Sequence, residues 1–210
     1  MSYTPIPDII SAIASGRMVI VFDDDPKRES EADLVVAASR VTPAAVSFLA
    51  HSGGGLVCVA LEGRYLDALE IPPMTAAPDD PFGTAWMLSV DHRATTTGIS
   101  AFDRTRTIQA LIDPVSRPED FTRPGHVFPL RTRPGGLADR LGHTEAGVAL
   151  TRLAGLPEAA VICEIMGSDG VMLRGAALKD FARRHQIPAC TIAGIAGYVA
   201  GGKDWLTSRV

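Results

Sequence analysis

The chain has 210 residues, 46% of them apolar and 21% charged, which is the length and composition of one globular domain with a real core. A formal net charge of −4 argues against general binding to nucleic acid or to anionic membrane surfaces, since both need a basic face. No apolar run approaches membrane-spanning length, and MSYTPIPDII lacks a basic region followed by a long apolar stretch, so neither an anchor nor a signal peptide is expected.

Ile6, Ile9, Ile10 and Ile13 recur at helical spacing, with Asp8 as candidate cap and Gly16 as stop. MVIVF (18–22) reads as a short buried strand ending in Asp23-Asp24-Asp25, and DLVVAA (33–38) as a second strand after a charged loop. Thr42-Pro43 opens a helix through about Ala50. LVCVAL (56–61) is a predicted strand and GRYLDALE (63–70) a predicted helix, followed by a Pro-rich loop. WMLSV (86–90) is a predicted strand, TTTG (95–98) a turn, and AFDRTRTIQALI (101–112) an amphipathic helix. VFPLRT (127–132) is a strand whose proline suggests an edge or a bulge. HTEAGVALTRLAG (143–155) is a helix, AAVICEIM (159–166) a strand, GSDG a turn, ALKDFARRH (177–185) a helix and IPACTI (187–192) a strand before a Gly-rich tail. Strands and helices mostly alternate, and no linker divides them. The expected fold is a single α/β (or α+β) domain over 1–210, with a sheet covered by helices. Cys58, Cys163 and Cys190 sit far apart in apolar runs and read as buried thiols of a reducing compartment, the cytoplasm.

Four constellations carry chemistry. In Arg28-Glu29-Ser30-Glu31-Ala32-Asp33 three carboxylates alternate, so an extended loop projects them to one side, where a cation would offset their repulsion. A solvated hydrophilic loop is the plain alternative. In Arg123-Pro124-Gly125-His126 a turn delivers His126 at the head of a strand, where an imidazole serves acid–base chemistry or simply bonds backbone. Gly142-His143-Thr144-Glu145 opens a helix after a loop carrying Arg131, Arg133 and Arg140, an arrangement suited to a phosphate. His143 can ligate a metal, Thr144 can meet an oxyanion, and Glu145 suits the helix dipole. Glu164 lies inside the apolar run VICEI, where burial would raise its pKa toward a range useful for proton transfer unless an arginine pairs with it. TTTGISAFDR (95–104) offers hydroxyls that fit substrate contacts or capping alike.

These motifs, RExExD, TTGIS, RPGHVFPL and GHTEA followed by a strand glutamate, resemble in order those of the 3,4-dihydroxy-2-butanone 4-phosphate synthase family of riboflavin biosynthesis. The likeness runs from about residue 5 to 200, and no fused cyclohydrolase domain is expected. The resemblance implies a stand-alone lyase with a mixed sheet and helices on both faces. It converts D-ribulose 5-phosphate to L-3,4-dihydroxybutan-2-one 4-phosphate and formate with Mg2+ or Mn2+. By motif position, Glu29 and His143 would be the metal ligands and His126 and Glu164 the essential catalytic residues. Arg28, Glu29, Asp33, Arg140, Leu141, Gly142, His143, Thr144 and Glu164 would contact the sugar phosphate. Glu31 and Cys58 would line the pocket. The implied partner is a small-molecule sugar phosphate, with neither nucleic acid nor membrane, and the assembly is a cytoplasmic homodimer with active sites near the subunit interface. The sequence departs from the family at Ser30, at Ala32 (usually glycine, tolerable only at negative φ) and at Leu141 (usually small). Those departures motivate two alternatives: a relative acting on another phosphorylated ketose, and a non-catalytic sugar-phosphate-binding protein of the same fold.

Overall fold

A computed structural model describes residues 3–24 and 31–201. Helix α1 (Ile6–Ala14) buries Ile6, Ile9, Ala12 and Ile13; Pro5 takes its N-cap, while Asp8 sits in the first turn, where a carboxylate suits the dipole. Strands β1 (Val19–Phe22) and β2 (Ala32–Ala37) pair antiparallel. Helix α2 (Pro43–Phe48) starts where the Thr42 hydroxyl accepts the Ala45 N–H at 3.2 Å, and it runs into a wide π-type turn, Leu49–Gly53. There follow β3 (Cys58–Leu61), α3 (Gly63–Ala68), β4 (Ala85–Trp86), β5 (Val90–His92), α4 (Ala101–Ala110), β6 (Phe121–Arg131), α5 (His143–Leu153), β7 (Ala159–Glu164), α6 (Gly175–His185), β8 (Ala189–Thr191) and α7 (Ile192–Gly201).

The strands form one mixed sheet in the order β4-β6-β3-β7-β2-β1-β8, with β5 also paired to β6. The β1–β8 and β3–β6 pairs are parallel and the others antiparallel. Helices cover both faces. Val35, Cys58, Ala160 and Ile162 face α1, α5 and α7, whereas Leu34, Val59, Val161 and Cys163 face α2, α4 and α6. That two-sided burial explains why β1, β2 and β3 read as continuous apolar runs.

Three expectations need correction. WMLSV is not one strand: Met87 donates to Pro129 O and Leu88 to Pro72 O, so the run divides into β4 and β5 opposite a proline that has no N–H to give. Strand β6 begins at Phe121 and lies between β3 and the β4–β5 pair, so it is no edge and His126 lies within the strand rather than at its head. The Gly-rich tail contains α7, whose Ile192 and Ile195 join the α1–α5 core; tertiary burial outweighs the weak helix propensity of its glycines.

Candidate active site

One end of the sheet opens into a cleft of about 240 Å³ lined by Glu31, Asp33, Cys58, Asp80, Thr84, Trp86, Arg140, His143, Thr144 and Glu164. Registry explains the convergence. Asp33 pairs with Glu164 across β2 and β7, and both lie on the face that carries Cys58 and Ile162, under the N-terminus of α5. Two chain segments remote in sequence thus place two carboxylates side by side. The Glu164 carboxylate stands at the end of β7, part-exposed to the cleft, and its Oε2 accepts the Leu56 N–H at 2.8 Å. Gly55 makes room for it, since a Cβ there would lie 2.4 Å from Oε2. A fixed backbone donor on one oxygen leaves the other oriented for proton exchange.

His143 is the first residue of α5, with Gly142 as N-cap. Its Nε2 lies 3.1 Å from Val21 O, and a carbonyl can only accept, so Nε2 carries the proton. In the neutral ring Nδ1 is then the acceptor nitrogen, and it faces Asp33 Oδ1 at 3.6 Å. Two electron-rich atoms held that way suit a cation between or beside them, and a backbone bond to the second ring nitrogen is how metal-binding imidazoles are oriented. Among the described residues no three His, Cys, Asp or Glu side chains converge on one metal position. Glu29, the other expected ligand, lies with Arg28 and Ser30 outside the described residues.

Arg140 is held on three sides: Nε donates to Phe82 O (3.0 Å), Nη1 to Glu145 Oε2 (2.6 Å) and Nη2 to Thr84 Oγ1 (2.9 Å). A guanidinium has five N–H donors, so among the described residues these bonds leave one on each terminal nitrogen for an anion. Glu145, expected only to complement the dipole, is instead the buried clamp of this arginine, its side chain 1% exposed. Thr144 is buried beside it at the start of α5. Cys58 lines the cleft as a thiol: burial first, then the Glu164 and Asp33 carboxylates, push its pKa far above neutrality, and burial likewise pushes Cys163 and Cys190 up to about 12. None of the three is a thiolate nucleophile at neutral pH.

Asp33, Arg140, His143, Thr144 and Glu164 therefore meet as the sequence suggested, with Glu31 and Cys58. The side chain of Leu141 is turned outward and half exposed, away from the cleft lining. Ala32 pairs with Phe22 in β2 and is not among the positive-φ residues, so replacing glycine there introduces no strain. His126 stands apart. Its strand is separated from that of Glu164 by β3, about 10 Å away at two strand spacings. Its ring turns toward β5, with Nδ1 2.6 Å from Asp91 Oδ2, and it does not line the cleft. The hydroxyls of 95–104 serve capping: Ser100 accepts the Asp103 N–H, and the Thr96 hydroxyl bonds Asp103, holding that carboxyl below its ordinary range.

Sequence reasoning missed Asp91 and the 80–84 loop and misjudged Glu145. Asp91 ends an apolar stretch much as Glu164 does, and the same argument about carboxylates in apolar strands would have flagged it.

A sheet end carrying paired carboxylates, an oriented imidazole and a clamped arginine is the site of an α/β enzyme. The profile of the 3,4-dihydroxy-2-butanone 4-phosphate synthase family matches residues 7–198, and the chain belongs to that family. It is 48% identical over 202 residues to the 3,4-dihydroxy-2-butanone 4-phosphate synthase of Agrobacterium fabrum, covering 96% of this chain and 94% of that one. It is 50% identical over 199 residues to the riboflavin biosynthesis protein RibBA of Aquifex aeolicus, 93% of this chain but about half (49%) of that relative's length. A crystal structure of 3,4-dihydroxy-2-butanone 4-phosphate synthase in complex with two magnesium ions superposes with a TM-score of 0.89 at 43% identity, covering 96% of this chain and 99% of that one.

Proposed function

We propose that this chain converts D-ribulose 5-phosphate to L-3,4-dihydroxybutan-2-one 4-phosphate and formate, as a lyase of riboflavin biosynthesis. The observation that carries the reading is the meeting of Asp33, Glu164, His143 and Arg140 in one cleft. Arg140 and the N-terminus of α5 at Thr144, with Arg28, hold the phosphate dianion. Leu141 and Gly142 contribute through backbone, since the leucine side chain points away and Gly142 caps the helix. Glu29 and His143 hold Mg2+ or Mn2+, an assignment supported by the Nε2–H tautomer of His143 and the carboxylate facing its Nδ1. When bound, a divalent ion polarises the ketose carbonyl and stabilises negative charge on the neighbouring oxygens.

Within that frame the side chains move protons. A base removes the C3 proton, the C1 hydroxyl leaves as water, the carbon skeleton migrates, and rehydration releases C4 as formate. The water lost is regained, so atoms balance. Glu164, with one oxygen pinned by Leu56, is placed to exchange protons inside the cleft. His126 lies outside the cleft of its own chain and is half exposed, followed in space by the Gly98 turn with exposed Ile99 and Phe102. In a homodimer with sites at the subunit interface, the second copy's imidazole completes the cleft. The buried, unpaired thiols favour the cytoplasm, and among the described residues no helix is long and apolar enough to cross a membrane. Two of the three departures that motivated a different ketose leave the cleft unaltered: Ala32 is ordinary strand and Leu141 faces outward, while Ser30 lies outside the described residues.

Purified protein with ribulose 5-phosphate and Mg2+, followed by 1H NMR, should release formate and the butanone phosphate in equal amounts, and EDTA should stop both. Binding without turnover, or turnover of only another ketose phosphate, would contradict the proposal.

A further inference from the structure

An imidazole that moves protons must present a defined nitrogen, and the bond made by its other nitrogen decides which. His126 has such a bond of unusual completeness. Asp91 Oδ2 lies 2.6 Å from its Nδ1, while Oδ1 of the same carboxylate accepts its backbone N–H at 2.9 Å. One carboxylate therefore fixes both ring and backbone of one residue. The Asp91 side chain is 11% exposed against 44% for His126, so the anchor is buried and the ring reaches outward.

The surrounding backbone is built around this pair. Along β5 the register jumps from Val90↔Val127 to Asp91↔Thr122, and the irregularity leaves residues 123–126 passing over Asp91. Irregularities of this kind re-aim side chains next to active sites. The turn at Gly98, φ +84°, closes over the pair: a Cβ there would lie 2.1 Å from Asp91 Oδ2 and 2.6 Å from His126 Nδ1. Packed backbone on that side keeps water off the imidazole–carboxylate bond, which strengthens it.

We infer that Asp91 is the positioning residue of His126: it holds the proton on Nδ1 and turns Nε2 outward as the atom that takes and returns protons. The inference rests on the reading that His126 takes part in turnover. It gives Asp91 the function that the carboxylate serves in histidine–aspartate pairs generally, orienting the ring and stabilising the imidazolium that forms. A purely structural Asp91 would pin the strand without caring which nitrogen carries the proton.

The two cases separate experimentally. In 15N-histidine-labelled wild-type protein, long-range 1H–15N correlation should show His126 protonated on Nδ1 and not on Nε2 when neutral; the opposite tautomer overturns the inference without any variant. Asp91→Asn keeps an oxygen for the backbone N–H but turns an NH2 toward Nδ1, which must then accept. That variant should show the inverted tautomer, a kcat lower by about 100-fold or more, and a KM changed less than about threefold. A kcat within about threefold of wild type, with His126→Ala inactive, overturns the inference alone. An active His126→Ala enzyme overturns the underlying reading of His126, and this inference with it.

Discussion

Glu164→Gln should lower kcat for formate release by about 1,000-fold, within the range that loss of a positioned acid–base group costs. The substitution keeps size and shape. The amide oxygen can still accept the Leu56 N–H, so the end of β7 keeps its anchor. The site is part-exposed to the cleft, so no buried ion pair is broken and folding stability should change little, within about 1 kcal/mol. What disappears is the capacity to take a proton. Because Arg140 and Thr144, the proposed phosphate contacts, are untouched, KM should move far less than kcat. Stopped-time NMR of formate together with urea unfolding checks both halves. A variant retaining more than about a tenth of wild-type kcat would remove Glu164 from the chemistry.

The second large effect concerns which copy supplies the imidazole. His126→Ala should be as inactive as Glu164→Gln, yet a mixture of the two inactive proteins, unfolded and refolded together in equal amounts, should recover about a quarter of wild-type activity. The arithmetic follows from the proposed homodimer. Half of the dimers are then mixed, and each contains one site that combines an intact Glu164 with an intact His126 from the other chain. Sites made within a single chain would each carry one damaged residue, and the mixture would stay inactive. Recovery therefore tests the reading drawn from the separation of His126 from the cleft and its rotation toward Asp91.

How much of this was legible in the residues differs from one feature to the next, for physical reasons. Glu164 could be read because a carboxylate in VICEI is costly unless it has work to do. Its neighbour across the sheet, Asp33, was legible as part of a charged motif, but only the β2–β7 register places the two side by side. Glu145 was misjudged because helix position alone argues for a dipole contact, whereas its burial depends on Arg140 folding back from the preceding loop. Asp91 escaped notice since it lies just past WMLSV, and the register jump that sets residues 123–126 against it leaves no mark on the local pattern. The Gly-rich tail likewise hid α7, because propensity argues against a helix that tertiary packing on α1 and α5 stabilises. Local pattern gave the elements and the motifs; non-local pairing decided which motifs meet.

The proposed chemistry depends on a divalent ion held jointly by Glu29 and the His143 imidazole at the start of α5. Titration of Mn2+ into the protein, with free Mn2+ followed by electron paramagnetic resonance, reads that directly and needs no turnover. Glu29→Gln and His143→Ala should each weaken Mn2+ binding by about 100-fold or more, exceeding the loss from an outer-shell partner, while the fold is retained. Wild-type affinity for Mn2+ in either variant would contradict it.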